Sequence, residues 1–422
     1  MIKLSFNSYF KEIISRVQLI LKVRFLLTIG RILGLYAAII FLDKSEFTNI
    51  ALAISIVEIL KVLFDFGLEP YVFLKIGKND KKINQGWRLV VHNKVVFSII
   101  GAIITIIFSL YLSNINLLIA SVLLVTGTLA TVLQSYLHKQ KFFSTTPHEA
   151  LLYLTIILLY VFILMGQSQG YVYIGAMVVY EIIVVLMLTI KSKIFHNNRE
   201  LFLFKVKYLN RIVYSVYSSR FNYAMVLIGT LVTRMDAVII RPFLGQDAQY
   251  IFSTAFRATD PLMQVFGAVI TGIMIKTVSN KKVEIVDFIQ KVAHSKKFKI
   301  IQRLVNILAL CVVLFLSFLI ISNEKSEINI LLVLFVAIMP MRILCSLVTI
   351  AHMRMNNIAY PLKGSIVLMI FCLIIPLFIK NSLSLYLIFL LYIVGEYLNF
   401  KYQIYHLING NYSGLKKNIK KN

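Results

Sequence analysis

Charge is scarce in this chain, and negative charge above all: of 422 residues only 18 are Asp or Glu. Cys311, Cys345 and Cys372 are the only cysteines, they stand far apart, and each falls inside an apolar run. Neither a disulfide framework nor a zinc site fits that spacing, so they read as packed thiols. There is no GxxxxGK[ST] loop, which excludes an ATP-binding cassette in this chain, and no HExxH or G-x-S-x-G motif. The seven His are scattered. No metal site, no bound cofactor and no catalytic residue set is therefore expected, and the chain does not read as an enzyme.

What is present is apolar: 59% of the residues are hydrophobic and the mean hydropathy is +0.83. A helical span takes roughly 20 apolar residues, and the chain offers about a dozen such runs joined by short loops, with nothing left over for a sizeable soluble domain. The expected class is an all-α polytopic membrane protein. A net charge of +26 raises the question of nucleic acid. Its Lys and Arg, however, concentrate in alternate loops, the positive-inside pattern, so the partners are membrane lipids and no nucleic acid.

The first 23 residues do not read as a cleavable signal, because Lys11, Glu12, Arg16 and Lys22 interrupt any apolar stretch. Phe6, Phe10, Ile13, Ile14, Val17, Ile20 and Leu21 fit one face of a helix lying along the cytoplasmic surface. The spans that follow run about 24–42, 47–74, 91–112, 117–137, 151–165 and 171–190, then 216–243, 248–275, 301–321, 328–351, 360–379 and 383–407. Basic connections at 75–88, 138–141, 191–211 and 276–303, with the tail Lys416, Lys417, Lys420 and Lys421, mark the cytoplasmic side and place both termini there. Among the short outer loops only Lys44, Lys325 and Lys380 carry positive charge. The long polar connection suggests an N-terminal six-helix lobe over 1–198 and a C-terminal six-helix lobe over 199–422. A faint repeat supports this: a shift of 203 residues places Arg31 on Arg234, Phe47 on Tyr250 and Lys78 on Lys281. Parallel halves of this kind are an alternating-access architecture.

Ionisable residues inside spans carry the functional reading, since hydrocarbon tolerates them only toward a bundle interior or a cavity. Glu58, Lys61, Asp65 and Glu69 follow one another at spacings of three, four and four residues and form one stripe on a helix. Arg31 and Glu181 complete the first half. The second half has Arg220, Arg234, Asp236, Arg241, Arg257, Asp260, Arg342 and Glu396. Bland readings stand beside the functional one. Glu69, Arg24 and Arg220 lie near span ends, where they can snorkel. Glu58 with Lys61, Lys61 with Asp65, and Arg257 with Asp260 can pair along their own helices. Arg234 and Asp236 project on different faces and do not pair directly. Pro261 and Pro340 interrupt spans beside Asp260 and Arg342, as at transporter sites but also at ordinary kinks.

The stretches Gly30-Arg31-Ile32-Leu33-Gly34 and Asp65-Phe66-Gly67-Leu68 resemble the first two helices of the polysaccharide flippases in the multidrug, oligosaccharidyl-lipid and polysaccharide exporter superfamily. Arg234-Met235-Asp236, the turn around Gly245 and the run 250–275 resemble that family's seventh and eighth helices. The resemblance implies a MATE-like fold and a flippase of the bacterial inner membrane. Its cargo would be undecaprenyl-diphosphate-linked repeat units for O-antigen, lipopolysaccharide or capsule, moved by alternating access with H+ or Na+ coupling, beside a glycan polymerase and a chain-length regulator. On that reading Arg31, Lys61, Arg234 and Arg257 bind the diphosphate and sugar, the guanidiniums best suited to phosphate oxygens. Glu58, Asp65, Asp236 and Asp260 are the coupling candidates. A drug or cation exporter of the same superfamily and a membrane-embedded glycan polymerase stay as alternatives. A major-facilitator transporter would need its basic motif between spans two and three, which 75–88 does not match.

Overall fold

The computed structural model describes residues 38–65, 80–111, 114–139, 169–192, 207–259, 326–354, 358–379 and 383–409, and their regular structure is helical throughout. In chain order the helices are α1 (Lys44–Asp65), α2 (Asp80–Tyr111), α3 (Ile115–Lys139), α4 (Gly170–Ser192) and α5 (Lys207–Thr233). Then, after a reversal at Gly245, come α6 (246–259), α7 (Ser326–Arg354), α8 (Ala359–Phe378) and α9 (Leu385–Asn409). Among the described residues five segments are long and apolar enough to cross a membrane, Lys44–Phe64, Lys94–Tyr111, Gly170–Ile190, Glu327–Thr349 and Ala359–Phe378, and the bent pair Arg220–Thr233 with Asp236–Thr259 makes a sixth if it is one span. The spans expected at 24–42, 151–165, 248–275 and 301–321 fall largely or wholly outside the described residues.

The helices match the apolar runs, but two begin earlier than hydropathy suggests. α2 starts at Asp80 and α5 at Lys207, inside the expected basic connections. Neither polar stretch contains a proline, so nothing ends the helix where the hydrocarbon ends. At the other end of α2 the expected short turn is present. Asn114 accepts a hydrogen bond from Leu117 N at 3.0 Å and so caps α3. The carboxylate of Glu46 likewise accepts from Gly170 N at 3.1 Å, at the positive end of α4.

α5 leads through a π turn, Asp236–Ile240, toward α6. Gly245 takes φ 83°, in the left-handed region, and the chain doubles back there. The contacts prove the reversal. Ser253 Oγ lies 2.9 Å from Asp236 Oδ2 although the two are 17 residues apart, a separation of about 25 Å along a straight helix. A second π turn, Ile370–Ile374, interrupts α8 just before Pro376, whose missing N–H cannot continue the ladder.

Two groups of helices result. α3 packs on α1, α2 and α4, while α9 packs on α7 and α8, and α8 also lies against α5. Phe335 of α7 is a hub of the second group, edge-on to Phe252 and Phe256 of α6 at 5.5 Å each and to Phe389 of α9 at 4.8 Å. α1 belongs to the first group but also touches α5 and the π turn that follows it. One seam between the groups therefore runs along α1.

Candidate cavity and its charged seam

Most hydroxyls in these helices bond to their own backbone: Thr105 to Gly101 O, Thr128 to Leu124 O and Thr230 to Val226 O, at 2.7, 2.6 and 3.0 Å. That is the usual way to bury a hydroxyl in a span. Ser55 and Ser253 behave differently. Ser55 Oγ of α1 lies 3.2 and 3.1 Å from the two carboxylate oxygens of Asp236, and Ser253 donates to the same carboxylate. Asp236, 3% exposed, is thus held by hydroxyls from two helices.

Arg257 completes this group. Its Nη2 donates to Ala51 O at 2.7 Å and to Ser55 Oγ at 3.1 Å, and lies 3.9 Å from Asp236 Oδ2. Its Nε is buried and donates to no described atom. One turn further along α1, Arg234 pairs with Glu58, and its guanidinium carbon stands 5.6 Å from the ring centre of Phe256. Toward the start of α1 the seam continues with neutral partners. Arg241 Nη1 donates to Gln249 Oε1 at 2.9 Å, and its Nη2 reaches Asn49 Oδ1 at 3.4 Å. Gln246 Nε2 donates to Thr48 Oγ1 at 2.8 Å. At the tip Lys44 Nζ meets Asp247 Oδ1 at 2.6 Å, an exposed pair worth about 0–1 kcal/mol.

Of the residues singled out from sequence, Arg234, Arg257, Glu58 and Asp236 come together on this seam. Lys61 lies further along α1, half-buried, with its Nζ against Gly127 of α3: a Cβ on Gly127 would stand 3.0 Å from it. Arg31, Asp260, Glu69 and the side chain of Asp65 lie outside the described residues. Glu58 reaches across to Arg234 of the second group of helices, while Lys61 of the same stripe lies against α3 of the first. Arg257 is joined to Asp236 across the hairpin. Arg220 is exposed, stacked on Tyr217 at 3.8 Å. Elsewhere Arg342 Nε of α7 lies 3.0 Å from Glu396 Oε1 of α9, a pair inside the second group. Sequence reasoning passed over Ser55, Ser253, Thr48, Gln246 and Gln249. Small polar residues in a span carry no signal until their partners are known.

Residues 41–322 match the family of polysaccharide biosynthesis proteins. The chain belongs to that family. No curated protein sequence matches it. This polysaccharide biosynthesis protein shares its fold with a lipid II flippase, MurJ, in an inward closed conformation. The two are 14% identical, with a TM-score of 0.65, over 92% of this chain and 87% of that one. It is similar also to the MATE multidrug transporter DinF-BH, at 11% identity and TM-score 0.62, over 95% of both chains. The eukaryotic MATE transporter AtDTX14 matches at 10% identity and TM-score 0.59, over 98% of this chain and 99% of that one. At these identities the likeness establishes the fold alone, an all-helical one shared with MurJ and the MATE transporters.

Proposed function

We propose that this family member is a flippase that carries undecaprenyl-diphosphate-linked oligosaccharide repeat units from the cytoplasmic to the periplasmic leaflet of a bacterial inner membrane. The observation that carries the reading is the seam of Arg234 and Arg257 at the meeting of α1 with α5 and α6. A diphosphate crossing a membrane needs cationic donors at depth, and guanidinium forks match phosphate oxygens. Arg257 has a buried Nε–H that donates to no described atom. The carboxylates of Glu58 and Asp236 are engaged by these arginines, which weighs against a cation exporter.

The positive-inside pattern puts the Lys44 end of α1 on the outer side. On that orientation the contacts from Lys44–Asp247 through Thr48–Gln246 to Glu58–Arg234 close the seam toward the periplasm. Transport then requires the seam to part, with Arg31, Lys61, Arg234 and Arg257 meeting the headgroup while Glu58, Asp65, Asp236 and Asp260 exchange partners. H+ or Na+ coupling would supply the driving force, and the product would pass to a glycan polymerase and its chain-length regulator. The experiment is depletion of the protein in cells. Lipid-linked repeat units should accumulate facing the cytoplasm, whereas undersized surface chains with normal translocation would assign it to polymerisation.

A further inference from the structure

The second group of helices holds a polar file that the seam does not use. On α9, Glu396, Asn399, Gln403 and His406 follow at spacings of three, four and three, and on α7 Arg342, Cys345, Thr349 and His352 follow at the same spacings. The two stripes face each other. Arg342 Nε meets Glu396 Oε1 at 3.0 Å. Gln403 Nε2 donates to Asn399 Oδ1 at 2.8 Å and approaches Cys345 Sγ at 3.4 Å. Gln403 Oε1 accepts from Thr349 Oγ1 at 2.8 Å, and Gln403 O lies 2.9 Å from His352 Nε2. Beyond His352, Tyr360 of α8 stacks on His406 with ring centres 4.3 Å apart. Glu396, Asn399, Gln403 and His352 are 4%, 5%, 1% and 0% exposed, and His352 Nδ1 has no hydrogen-bond partner among the described residues. This file runs from the middle of the spans to the end of α9 that the charge pattern assigns to the cytoplasm.

We propose that Glu396 is a proton-binding site of the transport cycle, reached from the His352–His406 end through the Gln403 file. The idea rests on the transport reading and extends it to a lobe remote from the seam. In the present state Arg342 neutralises the carboxylate. α7 is built to let that pair open, because Pro340, two residues before Arg342, lacks the N–H that would hold the preceding turn. Beside it the backbone of α8 widens into its π turn, where Leu368 and Phe371 pack against Gly395, next to Glu396. A carboxylate left without its guanidinium in this apolar surround is costly, and taking up one proton to become a neutral acid removes the charge. Among the described residues, the titratable and charged groups near it are Arg342 and Cys345 of α7, Cys372 of α8 and Tyr392 of α9 itself. None of the other three is a second cation, so Arg342 and the proton alternate as the neutralising partner. A metal ion would need a coordination shell that these side chains do not supply.

The test uses the full-length protein in liposomes, in two parts. Infrared spectra compared between variants at neutral pH need no glycan lipid. Arg342→Gln should show a protonated-carboxyl band already at neutral pH, and that band should vanish in Arg342→Gln/Glu396→Gln. Identical spectra for the two variants would overturn the assignment. The second part places undecaprenyl-diphosphate oligosaccharide and an internal pH dye in the liposomes. Proton flux should be present in the wild type, lost in Glu396→Gln, and slowed several-fold in Gln403→Leu. Flux unchanged in Glu396→Gln would overturn coupling at this site, and flux unchanged in Gln403→Leu would overturn the route. Because the first part involves no cargo, failure of the flippase reading leaves it intact.

Discussion

Ser55 of α1 and Asp236 of the π turn are joined by a two-point contact, one hydroxyl 3.2 and 3.1 Å from the two carboxylate oxygens. It ties together helices whose residues lie 181 positions apart in the chain. The carboxylate is simultaneously within 3.9 Å of the Arg257 guanidinium. Removing Asp236 leaves the Arg257 charge buried with only the neutral acceptors Ala51 O and Ser55 Oγ near it.

Asp236→Ala should therefore destabilise the protein by roughly 3–5 kcal/mol, the cost of an uncompensated buried charge. Asp236→Ala/Arg257→Met should recover part of that loss, because no charge is then stranded. Thermal unfolding of the purified variants checks both. Equal destabilisation of the single and double variants would mean that Arg257 and Asp236 are not energetically coupled.

Arg234→Ala should abolish surface polysaccharide while the protein stays in the membrane, and Arg234→Lys should restore only part of it. Lysine keeps the charge opposite Glu58 but loses the planar fork. Surface-glycan immunoblots read against the amount of membrane protein make the comparison. Full export in the Ala variant would remove Arg234 from the cargo path.

Two glycines separate stability from activity. A Cβ on Gly101 would meet the ring of Phe64 at 2.5 and 2.7 Å. Gly101→Ala should thus overpack the α1–α2 contact and cost about 1–3 kcal/mol. A Cβ on Gly127 would meet only the flexible tip of Lys61, at 3.0 Å. Gly127→Ala should leave unfolding nearly unchanged and displace the ammonium group, lowering export. Loss of stability in both variants would show that Lys61 is held as rigidly as Phe64.

The helices were legible in sequence because apolar runs of span length have one outcome in hydrocarbon. The reversal at Gly245 was legible because it separates two such runs. The early starts of α2 at Asp80 and of α5 at Lys207 were not, since hydropathy marks where the hydrocarbon ends and not where the helix does. At the seam, charge inside apolar runs singled out Glu58, Arg234, Asp236 and Arg257, which the fold brings together. Their partners were hidden. Local spacing offered Lys61 for Glu58 and Asp260 for Arg257; the contacts of Glu58 with Arg234 and of Arg257 with Asp236 exist only once the chain has folded.

The contacts of Thr48 with Gln246 and Gln249 sit between the exposed Lys44–Asp247 pair and the buried charges. Under alternating access they must separate once per cycle, and little free energy holds them: the pair at the tip is solvent-screened, and each neutral hydrogen bond contributes about 1 kcal/mol. A covalent link at this level should therefore stop transport without disturbing the fold. Thr48→Cys/Gln246→Cys, treated with a short cleavable thiol cross-linker, should lose export in proportion to the linked fraction and regain it on cleavage. Cys345 and Cys372 are buried and do not compete for the reagent, and Cys311, outside the described residues, is first replaced by Ser. Either single-cysteine variant should be unaffected by the reagent, which controls for blocking by mere attachment. Export that persists in fully linked protein would mean that this face never opens, and cargo would have to leave by another path.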